Sequence, residues 1–226
     1  MSPLVVAAVS VVALINFRLL GGSRMVPIIR AAALQGALLV FAAVLLRASE
    51  LAPGTALLAA ASAAIKGFVL PGLLLRALRQ VEIRREVEPL VGYNLSLLLG
   101  ALGLGVAAAA GAHLSPASVP RGSLLVSVGS FTMLTGLFLM VARRKAITQA
   151  LGYLVFENGI YAFGIAAAYE APLLVELGVL LDLLVAVFVM GVIVFHIQRD
   201  FAHIDVDRLS LLRDLEGAPD DGGPGE

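Results

Sequence analysis

The sequence predicts an all-α fold: a polytopic membrane bundle of seven transmembrane helices, with the N-terminus outside and the C-terminus inside. Three observations predict it. First, the 226-residue chain is 60% hydrophobic and only 14% charged, with a mean hydropathy of +0.98. Water-soluble domains run about 45–50% apolar and about 25% charged. Second, seven apolar runs are each long enough to cross roughly 30 Å of hydrocarbon at about 1.5 Å per residue. Third, the basic residues gather on alternate connections between those runs.

The expected spans are 3–20, 28–46, 55–78, 90–110, 123–142, 147–169 and 172–197. The breaks between them carry turn chemistry: Gly21-Gly22-Ser23-Arg24 after the first, Ser49-Glu50-Leu51-Ala52-Pro53-Gly54 after the second, and a Ser/Pro-rich stretch at 115–122 after the fourth. Pro27, Pro89 and Pro172 stand at or just before helix starts. There the missing N–H costs nothing. The first span has no basic residue ahead of it and no small-x-small cleavage site behind it, so it reads as a retained helix.

Basic residues set the orientation. With the N-terminus outside, the cytoplasmic side holds Arg18, Arg24, Arg30, Arg76, Arg79, Arg84, Arg85, Arg143, Arg144, Lys145, Arg199, Arg208 and Arg213, which is 13 residues. The outer side holds two, Arg47 and Arg121, and Lys66 lies within a span. An odd error in the span count would scramble this alternation. The expected organisation is a transmembrane domain over 1–197, a cytoplasmic amphipathic tail over 198–215, and a Gly/Pro/acidic end over 216–226.

Composition also excludes functions. Lys+Arg and Asp+Glu both number 16, so the balance points to neither nucleic acid nor an acidic partner. The absence of cysteine excludes a disulfide scaffold, a c-type haem and thiolate-held iron–sulfur or nickel–iron sites within this chain. The three histidines, His113, His196 and His203, lack metal-ligand spacing. No cofactor is expected.

The informative residues are the ionisable groups inside the spans. Each costs about 2.5–3.5 kcal/mol at mid-bilayer on insertion scales, so they persist where they are paired or face a wet interior. Lys66, Glu157 and Asp182 lie near the centres of their spans, Glu176 nearer the outer end of the last, and His196 at its cytoplasmic end. In the sixth span Gln149, Tyr153, Glu157 and Tyr161 recur every four residues and form one polar stripe. Tyrosine hydroxyls on that stripe can hydrogen-bond the carboxylate or a water beside it. Asn158-Gly159 follows at once, and Gly152 and Gly164 permit close helix approach. Asp182 and His196 are two heptads apart on nearly one face, while Glu176 is about 120° away from Asp182 around the helix. Five residues after Lys66, Pro71 removes the donor for the carbonyl of Gly67, so a kink is expected there. Ser62 lies one turn before the lysine. Asn16, Gln35 and Asn94 need only interhelical hydrogen bonds. The ion-translocation candidates are therefore Lys66, Glu157, Asp182, Tyr153, Tyr161, Glu176 and His196. The alternatives are a Lys–Glu or Lys–Asp pair that only locks two helices for Lys66, a carboxylate tied to a neighbouring helix for packing for Glu157, an outer-rim carboxylate for Glu176 and an interfacial residue for His196.

The stretch GYLVFENGIYAFG, followed by LLVELGVLLDLLVAVFVMGVIV, resembles the hydrogenase-4 component E family. The Lys66–Pro71 stretch and the IDVDRLSLLRDL tail fit the same resemblance. Through its last three helices (121–197 here) that family is similar to the small K subunit of respiratory complex I and the C subunit of multisubunit sodium/proton antiporters. The K subunit carries a central glutamate in each of two adjacent helices. The resemblance puts Glu157 in the place of the first and Asp182 in the place of the second, with Asp where the K subunit has Glu and the two acids closer in sequence. It implies a subunit, without a redox centre of its own, of a group 4 nickel–iron hydrogenase or formate hydrogenlyase-like assembly. The implied surroundings are the bacterial or archaeal cytoplasmic membrane, its lipid and the other membrane subunits. The translocated ion would be a proton or sodium. A structural adaptor that anchors larger antiporter-like subunits is the alternative. A stand-alone transporter or receptor is disfavoured, because no matching pair of broken helices and no sensor domain is present.

Overall fold

The computed structural model describes residues 2–46, 57, 60–61, 63–80, 90–114, 122–167 and 191. Every regular element among them is a helix: α1 (Pro3–Gly21), α2 (Met25–Leu46), a π-turn (Ile65–Val69) running into α3 (Leu70–Gln80), α4 (Tyr93–Leu114), α5 (Gly122–Ala142) and α6 (Ala146–Ala167). Four helical stretches are long and apolar enough to cross a membrane: Pro3–Gly21, Met25–Leu46, Tyr93–Leu114 and Leu124–Ala142. They coincide with four of the seven expected spans. α6, 22 residues long, coincides with the sixth. The seventh expected span, with Glu176, Asp182 and His196, and both tail segments lie outside the described residues, apart from residue 191.

Local chemistry accounts for the helix ends. Ser2 caps α1 by accepting a hydrogen bond from the Val5 N–H at 3.4 Å, with Pro3 in the first turn. α1 stops where Gly22 turns extended, at φ −84° and ψ 133°. A Cβ on Gly22 would lie 2.9 Å from the Arg18 carbonyl and run into the Ile28 side chain, so the reversal into α2 leaves no room for one. α2 begins at Met25 rather than at the expected 28, because Pro27 falls in the first turn, where no donor is needed. α4 begins at Tyr93 rather than at 90. The Leu90 N–H bonds the Ala142 carbonyl at 3.1 Å, so this backbone serves a tertiary contact.

The helices pack in a connected bundle. α5 and α6 lie along each other with the most extensive contact, α4 packs on α5, and α1 touches α2, α4 and α5. α2 packs on α6, the π-turn and α3. The α5–α6 seam is a glycine seam. A Cβ on Gly129 would stand 2.8 Å from the Phe163 nitrogen, and one on Gly152 would stand 2.8 Å from the Met140 nitrogen. Cβ atoms on Gly136 and Gly159 would collide with the backbones of Phe156 and Met133. Two glycines a heptad apart on each helix therefore bring backbone against backbone. The glycines of α4 behave differently. Gly100 accommodates Leu20 and Phe17, Gly103 makes ordinary contact, and Gly105 faces open space.

Two apolar clusters form the core. One contains Ile15, Leu19, Met25, Ile29, Leu70, Leu74, Leu139, Ile147, Leu151 and Leu154. The other contains Val5, Val9, Val12, Leu39, Leu125, Val128, Ala162 and Ala166. In α2, α5 and α6 buried polar residues fall between the stretches that feed the two clusters: Gln35 in α2, Thr132 and Thr135 in α5, and Glu157 and Asn158 in α6, with Thr148 the exception near the start of α6. Asn16 stands at the corresponding crossover in α1, and Lys66 just ahead of Leu70. The molecule thus has a polar layer between two apolar ones.

Candidate functional site

Lys66 and Glu157 meet in that polar layer. The lysine Nζ donates to Glu157 Oε1, joining residues 91 apart in sequence, and each side chain is 1% exposed. Helical periodicity brings Glu157 to the inward face of α6, beside the tightly packed α5. Lys66 arrives by a different device. It sits inside the π-turn, which closes with the Leu70 N–H on the Ile65 carbonyl, just ahead of Pro71, whose ring nitrogen has no hydrogen to offer the Gly67 carbonyl. The expected kink at Pro71 is therefore realised as a π-turn that carries the lysine at its start.

The tyrosines flank the pair. The Lys66 ammonium lies over the ring of Tyr161 at 4.9 Å from the centroid, so the aromatic face helps to solvate the buried cation. Tyr161 packs against one apolar cluster and Tyr153, a turn before Glu157, against the other. Gln149, the first member of the stripe, is exposed and donates from Nε2 to the Arg143 carbonyl at 3.1 Å. Gly36 of α2 makes room for the pair. A Cβ there would stand 3.1 Å from Lys66 Cβ and 3.3 Å from Asn158 Oδ1.

A second polar chain crosses the same layer. Gln35 Nε2 donates to Asn16 Oδ1 at 2.8 Å, and Asn16 Nδ2 donates to Thr132 Oγ1 at 2.9 Å. The Thr132 hydroxyl then donates to the Val128 carbonyl at 2.7 Å. The tilted ring pair Phe17–Phe131, with centroids 5.3 Å apart, braces α1 against α5 beside it. Asn16 and Gln35 thus make the interhelical bonds expected of them, whereas Asn94 is exposed near the start of α4.

Sequence reasoning missed Arg143. By sequence it is one of the cytoplasmic charges, yet it is 1% exposed. Its Nη2 donates to the Leu20 carbonyl at 2.8 Å and its Nη1 to the Val91 carbonyl at 3.4 Å, with the guanidinium 4.8 Å from the Tyr93 ring centroid. It therefore ties the end of α1 and the entry to α4 to the α5–α6 connection. Its partners are backbone carbonyls, which every residue has, so no side-chain pattern could have signalled them.

Of the seven candidates, the structure brings Lys66, Glu157 and Tyr161 into contact and sets Tyr153 one turn away. Asp182, Glu176 and His196 are outside the described residues.

These features define an all-helical membrane protein with a buried lysine–glutamate pair in a polar layer. Over 153 residues the chain is 39% identical to Rv0085, an uncharacterized protein of Mycobacterium tuberculosis, covering 67% of this chain and 69% of that one. The chain belongs to the family of that protein. It is also 29% identical over 153 residues to hydrogenase-4 component E of Escherichia coli K12 and of Shigella flexneri, covering 66% of this chain and 68% of theirs. No family model matches the chain. No solved structure matches it.

Proposed function

We propose that the chain is a non-catalytic membrane subunit of a hydrogenase-4-like, complex I-related assembly, and that its buried charges take part in moving protons or sodium ions. The observation that carries this reading is the Lys66–Glu157 pair. A cation and an anion face each other in a layer of amides and hydroxyls, between two apolar clusters. Such a pair can exchange a proton, or part and re-form, when charge or hydration changes nearby. Redox chemistry in partner subunits would supply that change. The similarity to hydrogenase-4 component E supplies the kind of assembly. In this reading Asp182, on the expected next helix, receives the proton from Glu157, and Glu176 and His196 stand toward the two ends of that helix. The topology is N-out and C-in, in a bacterial or archaeal cytoplasmic membrane.

The second reading, a structural adaptor without an ion path, is favoured by the directness of the same ion pair, which also locks the π-turn onto α6. Conservative variants in the native assembly decide between the two. Glu157→Gln and Lys66→Met are expected to leave subunit association and electron transfer measurable while lowering ions moved per electron. Normal coupling in Glu157→Gln, together with failed assembly in Glu157→Leu, would establish the adaptor.

A further inference from the structure

Asn158 is 1% exposed, and among the described residues neither its Nδ2 nor its Oδ1 has a hydrogen-bond partner. Exchanging the two atoms by a flip of the amide changes nothing, because both are in the same position. Gln35, fully buried on α2, has an Oε1 in the same condition, while its Nε2 is held by Asn16. A buried amide left without partners is costly, and inside a bilayer more so, because lipid offers no substitute. The Asn158 amide faces the backbone of Gly36, where a side-chain Cβ would come within 3.3 Å of Oδ1 and 3.4 Å of Nδ2. Gly36 adjoins Gln35 in the chain, and Asn158 adjoins Glu157.

The chemistry of these atoms selects the occupant. The site presents the donors and the acceptor of one amide. A metal cation would leave Nδ2 without an acceptor. An anion would leave Oδ1 without a donor. Water both donates and accepts, and it is the usual partner of buried polar groups that protein atoms leave unmatched. We propose that Asn158 forms an internal water-binding site beside the Lys66–Glu157 pair. It rests on the relay reading for its use: water held there sets a group that can accept and pass a proton beside the pair.

The test is a structure of the intact native assembly at a resolution that places waters, with the natural chain and with Asn158→Leu. Water within about 3.2 Å of both Asn158 amide atoms is expected in the first. It is expected to be lost in the second, with Lys66 still on Glu157. An amide bonded to a protein side chain, or no density beside it, overturns the site. On the same preparations, ions moved per electron are expected to fall at least tenfold in Asn158→Leu, and an unchanged ratio overturns the water's place in the relay. If Glu157→Gln moves ions normally while water remains on Asn158, the relay fails and the water site stands. Should Asn158→Leu not assemble, Gly36→Ala crowds the same position without removing a polar group, and the same loss of water is expected.

Discussion

Lys66 and Glu157 are tolerable in an apolar chain only together. Removing one partner of a buried pair leaves the other charge uncompensated, at a cost of about 3–5 kcal/mol, whereas replacing both with apolar groups of similar volume is often nearly neutral. Lys66→Met and Glu157→Leu singly are thus expected to lower the thermal stability of the purified assembly. The double variant should regain most of the loss, and an additive double loss would show that the pair is not the interaction removed. Arg143 offers a second residue-level test. Hydrogen bonds to a charged group contribute about 1.5–3 kcal/mol each, and Arg143 makes two to carbonyls on separate segments. Arg143→Ala should destabilise the chain by at least about 2 kcal/mol, read as a fall in melting temperature. Arg143→Lys should recover only part of it, since an ammonium lacks the planar fork that reaches both carbonyls.

Among the elements, the α5–α6 seam and α4 make opposite use of glycine. Gly136 leaves no space for a Cβ against the α6 backbone, whereas Gly105 faces open space. Gly136→Ala should therefore pry the two helices apart and lower the yield of folded protein from membranes. Gly105→Ala should be neutral, or stabilising by up to about 1 kcal/mol through helix propensity alone. Equal yields for the two variants would remove the seam from the account. The seam also explains why the two partners of the ion pair are held differently. Glu157 rides on a helix fixed by backbone contact. Lys66 rides on a π-turn, a winding frequently found at functional sites. The heptad spacing of Gly129 with Gly136 and of Gly152 with Gly159 was visible in the sequence. Its importance was not, because spacing does not say which helix faces which.

For the molecule as a whole, the basic asymmetry makes the sharpest prediction. Reporter fusions after Lys145 and at the C-terminus should register the cytoplasm, and one in the 115–122 connection the outside. A C-terminus outside would overturn both the orientation and the count of seven. Four spans already stand as helices of sufficient length and apolarity among the described residues. Exposed Leu98, Leu102 and Val106 on α4, at helical spacing, give that helix a face suited to lipid or to neighbouring subunits.

The amino-acid sequence by itself determined the membrane class and the positions of most helices, and it singled out Lys66 and Glu157 among the ionisable residues inside the spans. Each of these follows from transfer out of water, which is priced residue by residue and needs no knowledge of neighbours. Only the tertiary structure decided that Lys66 meets Glu157, that Tyr161 offers Lys66 its ring, and that Asn16, Gln35 and Thr132 join into one chain. It alone brought Arg143 inside and turned the Pro71 kink into a π-turn. Those outcomes depend on which faces of which helices pack together. Helix packing is chosen by backbone approach at glycines and by the matching of buried donors with acceptors, quantities that belong to pairs of segments and are written in neither segment alone.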